Sequence, residues 1–177
     1  GSYYTPSDLI ALVLDEALDP VLDEAVKAEN PEQALLAITV CDPACGSGHF
    51  LVAAARRIAM RLATVRCGDS EPAPAQVQRA LRDVVGRCIY GVDLNPMAAE
   101  LAKVSLWLEA VEPGKPLAFL DAHIRIGNAL LGTAPALLAK GVPSAAFVAL
   151  TGDDKKVVSA LKKANTAEVK RRESGQL

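Results

Sequence analysis

The residues with the most chemistry in them are the nine from Asp42 to Phe50, Asp-Pro-Ala-Cys-Gly-Ser-Gly-His-Phe, with a second acid at Asp93 and an amide at Asn128. An acid followed by glycines at 46 and 48, between an apolar run and a helical pattern, is the layout of a nucleotide-binding turn at the carboxyl edge of a parallel strand. Glycines there let the backbone turn tightly and approach a ligand. The spacing is not the full dinucleotide fingerprint, because position 51 is Leu where a third glycine belongs. Nor is it a phosphate loop, since no Lys-Ser/Thr pair follows. A nucleotide-like ligand without a triphosphate fits best, with Asp42 able to accept from a polar or amine end of it. Asp93 stands at the tip of a second strand, where a carboxylate can accept both hydroxyls of a ribose.

These groups need strands to carry them. Leu35–Cys41 reads as a short buried strand and Arg87–Val92 as a second. His123–Ile126 makes a third, with Gly127-Asn128 at its end. Ser47 to Val65 is apolar at helical spacing, Ala75–Val85 forms a further helix, and Asn95-Pro96 starts one that runs to Ala110. Its packing residues are expected to be Met97, Leu101, Val104, Trp107 and Leu108.

Ahead of the turn, Ser7 is expected to cap a first helix with Leu9, Leu12 and Val13 as its apolar stripe. A second helix lies between Pro20 and Pro31. Asp153-Asp154 announces a last helix, and the polar run from Lys170 is expected to fray. Strands alternating with helices predict an α/β fold with a parallel sheet core and N-terminal helices. The expected organisation is 1–33 as leading segment and helices, 34–132 as the α/β core, and 133–177 as a helical or partly disordered extension.

The 177 residues are about one domain's worth. No apolar run is long enough for a transmembrane helix, and no secretory signal pattern opens the chain. Four cysteines and two histidines form no close pair of metal-ligand couples, so no metal is expected. Reduced cysteines in a cytoplasmic protein are the expectation. A net charge of −2 argues against a strong electrostatic grip on nucleic acid by this chain alone. The charge is uneven, however: residues 1–33 carry eight acids and one base, and residues 141–177 seven bases and four acids.

With these residues in view, the sequence resembles the amino-methylating DNA adenine methyltransferases, closest to the large modification proteins of restriction or phage-defence systems. The resemblance spans roughly residues 3–132 and rests on four motifs in order. Tyr3-Tyr4-Thr5-Pro6 is similar to the leading motif that helps close over the methionine part of S-adenosylmethionine. Asp42 to Phe50 matches the cofactor turn almost letter for letter. Gly91-Val-Asp-Leu-Asn-Pro-Met-Ala98 matches the ribose-binding segment, and Gly127-Asn128-Ala-Leu-Leu-Gly132 resembles the next motif.

The resemblance implies a partial Rossmann-like S-adenosylmethionine-dependent methyltransferase fold. It implies cofactor contacts from Tyr3, Tyr4, Thr5, Asp42, Ala44, Gly46, Gly48, Phe50, Asp93, Leu94 and Asn128. Asp93 would take the ribose hydroxyls, Leu94 and, unless it is plain core, Met97 would pack against the adenine face, and Asn128 would meet the adenine edge. His49 follows the turn, but the family's chemistry needs no histidine there, and His123 is expected to be structural. The family's catalytic motif, Asn or Asp with two prolines and an aromatic, is absent: Asn30-Pro31 precedes Glu32 and Asn95-Pro96 precedes Met97. The chain is therefore expected to be an amino-terminal, cofactor-binding part of a longer protein, with no catalytic residue of its own. That longer protein would meet double-stranded DNA through its remaining catalytic and target-recognition regions.

Overall fold

A computed structural model describes residues 5–112, 114, 120–131 and 141–174. They fall in two compact units, Gly1–Leu130 and Leu131–Leu177. In the first unit the order is α1 (Ser7–Ala17), α2 (Asp19–Val26), α3 (Pro31–Leu36), β1 (Val40–Asp42), α4 (His49–Cys67) and α5 (Pro74–Val85). Then come β2 (Ile89–Asp93), α6 (Pro96–Ala110), a 3-10 turn at Leu120–Ala122 and β3 (Ile124–Ile126). The three strands form one parallel sheet in the order β1-β2-β3. Parallel neighbours need long crossovers, which α4 with α5, and then α6, supply. This is the parallel core with N-terminal helices of a Rossmann-like methyltransferase fold.

The organising helix is α4. Leu51, Ala54, Ala55, Ile58, Ala59, Leu62 and Ala63 are all fully buried along it, too many to lie on a single narrow stripe. It therefore packs on several sides, against β1, β2, α5, α6 and the three amino-terminal helices. Alanines at four of these seven positions let the neighbouring backbones come close. Its arginines reach outward and clip those neighbours: Arg57 pairs with Asp15 and Asp19, Arg61 with Asp23, and Arg66 with both Glu32 and Asp83. Four of the eight acids of residues 1–33 are thus partners of α4, so half of the negative charge there is used in this packing.

The structure corrects several details of the sequence reading. The first strand is much shorter than 35–41. Asn30 accepts from the Gln33 N–H at 3.1 Å and Pro31 takes the first helical position, so Leu35 and Leu36 belong to α3. Cys41 is exposed, since it points to the opposite face of β1 from the half-buried Val40 and Asp42. Ser7 does not cap α1 but is its first residue. The Pro6 carbonyl accepts the N–H groups of Leu9 and Ile10 instead.

Two apolar stripes have a different phase from the one expected. In α1 the buried residues are Ile10 and Leu14, whereas Leu9, Leu12 and Val13 face outward. In α6 they are Ala99, Ala102, Leu106 and Ala110, while Met97 is 67 % and Leu108 59 % exposed. Both helices carry apolar residues on more than one side, so periodicity alone could not choose the inner one. Three of the four inner residues of α6 are alanines, which lets α4 and α5 pack close to it.

In the second unit a 3-10 turn at Ser144–Ala146 precedes α7 (Lys155–Glu173). Asp154 caps α7, its carboxylate accepting from the Lys156 N–H at 2.7 Å. The helix continues through the Lys170 run that was expected to fray. Among the described residues no helix is long and apolar enough to cross a membrane.

Candidate functional site

The carboxyl ends of the strands bring the predicted residues to one edge of the sheet. In register, Asp42 lies beside Gly91 and Asp93 beside Ile126. The turn after β1 is fastened to β2 by two hydrogen bonds. The Cys45 N–H donates to the Val92 carbonyl at 2.9 Å, and the Gly46 N–H donates to Asp93 Oδ2 at 2.8 Å. Asp93 Oδ1 accepts from the Asn95 N–H at 2.8 Å, which shapes the entry to α6. Its backbone carbonyl accepts from the Gly127 N–H at 2.9 Å, leading the chain out of β3. One acid therefore ties the exits of all three strands together.

Each carboxylate oxygen of Asp93 has one such bond in the protein, and a carboxylate has about four acceptor positions. The side chain is only half-buried, so the remaining positions are open to a ligand's hydroxyls. Asp42 is held similarly, with Oδ1 accepting from the Ala44 N–H at 3.0 Å. Leu94 stands next to Asp93 with 69 % of its surface exposed, an apolar platform beside an acceptor.

Two glycines make the turn possible. Gly46 and Gly48 have φ of 52° and 82°, in the left-handed region that favours glycine. At Gly48 there is also no room, since a Cβ would stand 3.1 Å from both Cα and Cβ of Ala102 on α6. A third glycine was not singled out for packing from the sequence: a Cβ on Gly91 would lie 2.9 Å from Leu51 Cδ1 and 3.1 Å from Cys45 Sγ. Its signal was available, because glycine inside a strand marks close approach of another group.

Cys45 is buried under the turn. Burial first, and then the charges of Asp42 and Asp93, push its thiol up to about 11. It stays protonated near neutrality and fills space rather than attacking anything. His49 opens α4 and is exposed. His123 has the structural role expected of it: Nδ1 lies 2.8 Å from the Ile89 carbonyl and the ring stacks on Tyr90 at 4.4 Å.

Phe50 is half-buried and leans on the core, and Ala44 lies exposed on the turn. Asn128 is exposed just past β3, its Oδ1 accepting from the Leu130 N–H at 2.9 Å, so its amide NH2 remains available to donate. Thr5 is exposed ahead of α1. Tyr3 and Tyr4 lie outside the described residues. A groove of about 430 Å³ runs between α1 and the first turns of α4, with Ser7, Ile10, Ala53 and His49 among its lining. The residues that follow Thr5-Pro6 and those that follow the glycine turn thus meet across one groove. The two Asn-Pro pairs are accounted for as helix starts, Asn95 accepting from the Met97 N–H at 3.0 Å as Asn30 does from Gln33.

Residues 18–116, more than half of the chain, match the family described as MmeI, DNA-methyltransferase domain. The chain belongs to this family. The match includes the turn, Asp93 and all of α4 to α6, the parts of the MmeI-type domain that build the edge described above. Three curated relatives agree with it. A protein of Methanocaldococcus jannaschii, named as a candidate type II restriction enzyme and methyltransferase, is 25 % identical over 75 % of this chain and 14 % of its own length. The adenine-specific methyltransferase PglX of Streptomyces coelicolor is 27 % identical over 72 % of this chain and 10 % of its own length. The methylase subunit of the type I restriction enzyme MjaIX, also from M. jannaschii, is 31 % identical over 63 % of this chain and 14 % of its own. The chain thus spans about a tenth to a seventh of the relatives it matches. No solved structure matches it significantly.

Proposed function

We propose that this chain is the S-adenosylmethionine-binding part of a DNA methyltransferase acting on the exocyclic N6 of adenine, within a restriction-modification or phage-defence system. The observation that carries the reading is Asp93, a carboxylate at the tip of the central strand with acceptor positions left open beside an exposed Leu94. That pairing suits an adenosine: the carboxylate takes the ribose hydroxyls, and the apolar side chain lies along the purine. Asn128 has an amide N–H to offer the base edge. Asp42 and Asp93 put negative charge around a ligand that carries a sulfonium, and the glycine turn lets it approach the backbone. The residues present therefore fit the cofactor.

The cofactor, when bound, supplies the methyl group. The chain's own residues hold and orient it: Asp93 by the ribose, Leu94 by the base, Asp42 and the Gly46–Gly48 turn by the methionine end. Tyr3, Tyr4 and Thr5 belong to this proposal by their resemblance to the family's leading motif, and Ser7, just after it, lines the groove between α1 and α4. The target adenine would be flipped out of the duplex and received by the regions of a longer protein that carry the proline-pair motif. Both Asn-Pro pairs of this chain are occupied as helix starts, so the chain by itself is proposed to transfer no methyl group. Its place in the cytoplasm follows from that substrate.

Calorimetric titration with S-adenosylmethionine tests the reading. Saturable binding that adenosine competes for is expected. The absence of any heat at millimolar cofactor, with the helical circular dichroism intact, would overturn it.

A further inference from the structure

Resting on the DNA-methyltransferase reading, we infer that α7 carries a docking face for the phosphate backbone of duplex DNA. In the first unit the cations of α4 are spent on the fold: Arg56, Arg57, Arg61 and Arg66 each pair with acids of other helices. In α7 the pattern is reversed. Lys155, Lys156, Lys162, Lys163 and Lys170 are all exposed, and none has an ion pair or side-chain hydrogen bond among the described residues. Only Arg172 is paired, to Glu168 of the same helix at 2.5 Å. Such charges stabilise nothing internal and repel one another, so their attraction has to be satisfied by water, salt or a partner.

They are also placed together. Lys156, Lys163 and Lys170 recur every seven residues, which keeps them on one side of the helix at intervals of about 10.5 Å. Lys162, Lys163 and Lys170 line a groove of about 490 Å³ with Ser159, Thr166 and Ala167. Another side of the helix is fastened to its own unit. Asn165 Nδ2 donates to the Val142 carbonyl at 2.7 Å, and Val158 and Val169 are half-buried; the Ser144 and Thr166 hydroxyls, 3.2 Å apart, mark the edge between that side and the groove. Lys156, Lys163 and Lys170 make none of these attachments and are exposed.

Duplex DNA is the complement these features favour. A row of flexible point charges without planar or aromatic groups suits phosphates, and would read no base sequence. Insertion into a lipid surface needs a broad apolar face with bulky side chains. Here Val157 and Leu161 are the large exposed apolar residues of α7, and it has no aromatic residue. The face would act as a non-specific clamp, leaving sequence choice to other regions.

The test is a salt titration of the whole 177-residue chain with a fluorescent mixed-sequence duplex, beside a K156Q/K163Q/K170Q variant and the matching arginine variant. Five phosphate contacts predict that affinity falls by roughly two to three orders of magnitude between 50 and 200 mM salt. The glutamine variant should bind roughly tenfold or more weaker, with a log–log salt slope shallower by about 2.7. The arginine variant should bind like the parent, and circular dichroism should show unchanged helicity in both. No duplex binding by the parent at low salt, an unchanged slope in the glutamine variant, or binding to phosphatidylserine vesicles without binding to DNA would each overturn the proposal. S-adenosylmethionine titrated into the same proteins separates the two readings. Loss of DNA with cofactor retained removes this one alone, and DNA retained without cofactor binding removes the cofactor reading alone.

Discussion

Asp93 Oδ2 accepts the backbone N–H of Gly46 at 2.8 Å across 47 residues of chain, so the acid proposed to hold the ribose also holds the glycine turn. The two strand exits are registered by the same carboxylate. Asp93→Asn keeps the shape but replaces one acceptor oxygen with a donor and removes the charge. Hydrogen bonds to a charged group are worth about 1.5–3 kcal/mol, so cofactor affinity should fall by roughly ten- to over a hundredfold in calorimetry. Unchanged affinity would remove Asp93 from the site.

The two turn glycines should respond differently to the same change. A Cβ on Gly46 meets nothing within 4 Å, whereas on Gly48 it meets Ala102 at 3.1 Å. Gly46→Ala carries only the left-handed backbone cost of about 1–2 kcal/mol. Gly48→Ala adds the displacement of α6, an overpacking cost of about 1–3 kcal/mol more. Urea unfolding should rank Gly48→Ala as the more damaging, and equal midpoints would contradict the close approach of α4 to α6.

The thiols give a pH-dependent prediction. Cys45 and Cys88 are both pushed up to about 11, mainly by burial, against an ordinary value of 9.0. Because their folded values are raised, the folded chain prefers the protonated form. The stabilisation this represents is complete below pH 9 and is lost as pH rises through about 11. Denaturation midpoints should decline over that window, and less so in a C45A/C88A variant. At pH 8, iodoacetamide should label exposed Cys41 well before Cys45 or Cys88, as peptide mapping would show.

The inner face of α6 can be checked with two leucines two residues apart. Leu106 is fully buried and Leu108 is 59 % exposed. Leu106→Ala should cost about 2–5 kcal/mol as a cavity, and Leu108→Ala about 0.5 kcal/mol or less. The reverse order in chemical denaturation would restore Leu108 to the packing side expected of it from the sequence.

Much of the site could be read directly along the chain because its signals are local. A glycine pair between an apolar run and a helix, an acid at a strand tip, and proline after asparagine each act through the few residues around them. Asp42, Gly46, Gly48, Asp93 and Asn128 all stand where that reading put them, at the ends of strands or in the turn. The first strand was overextended because Leu35 and Leu36 are equally at home in a buried strand or on the inner side of a short helix. A cap at Asn30 decides between them.

What the sequence by itself determined is therefore the make-up of the turn: which residue types gather there, and that they follow parallel strands. What only the tertiary structure decided is how each group is used. The bond from Gly46 to Asp93 and the crowding of Gly48 and Gly91 depend on atoms far apart in the chain. So does the pairing of the α4 arginines while the α7 lysines have no ion pair among the described residues. A net charge of −2 hides that difference. A sum records how many charges there are, whereas only packing sets which of them are already neutralised and which remain to act on something else.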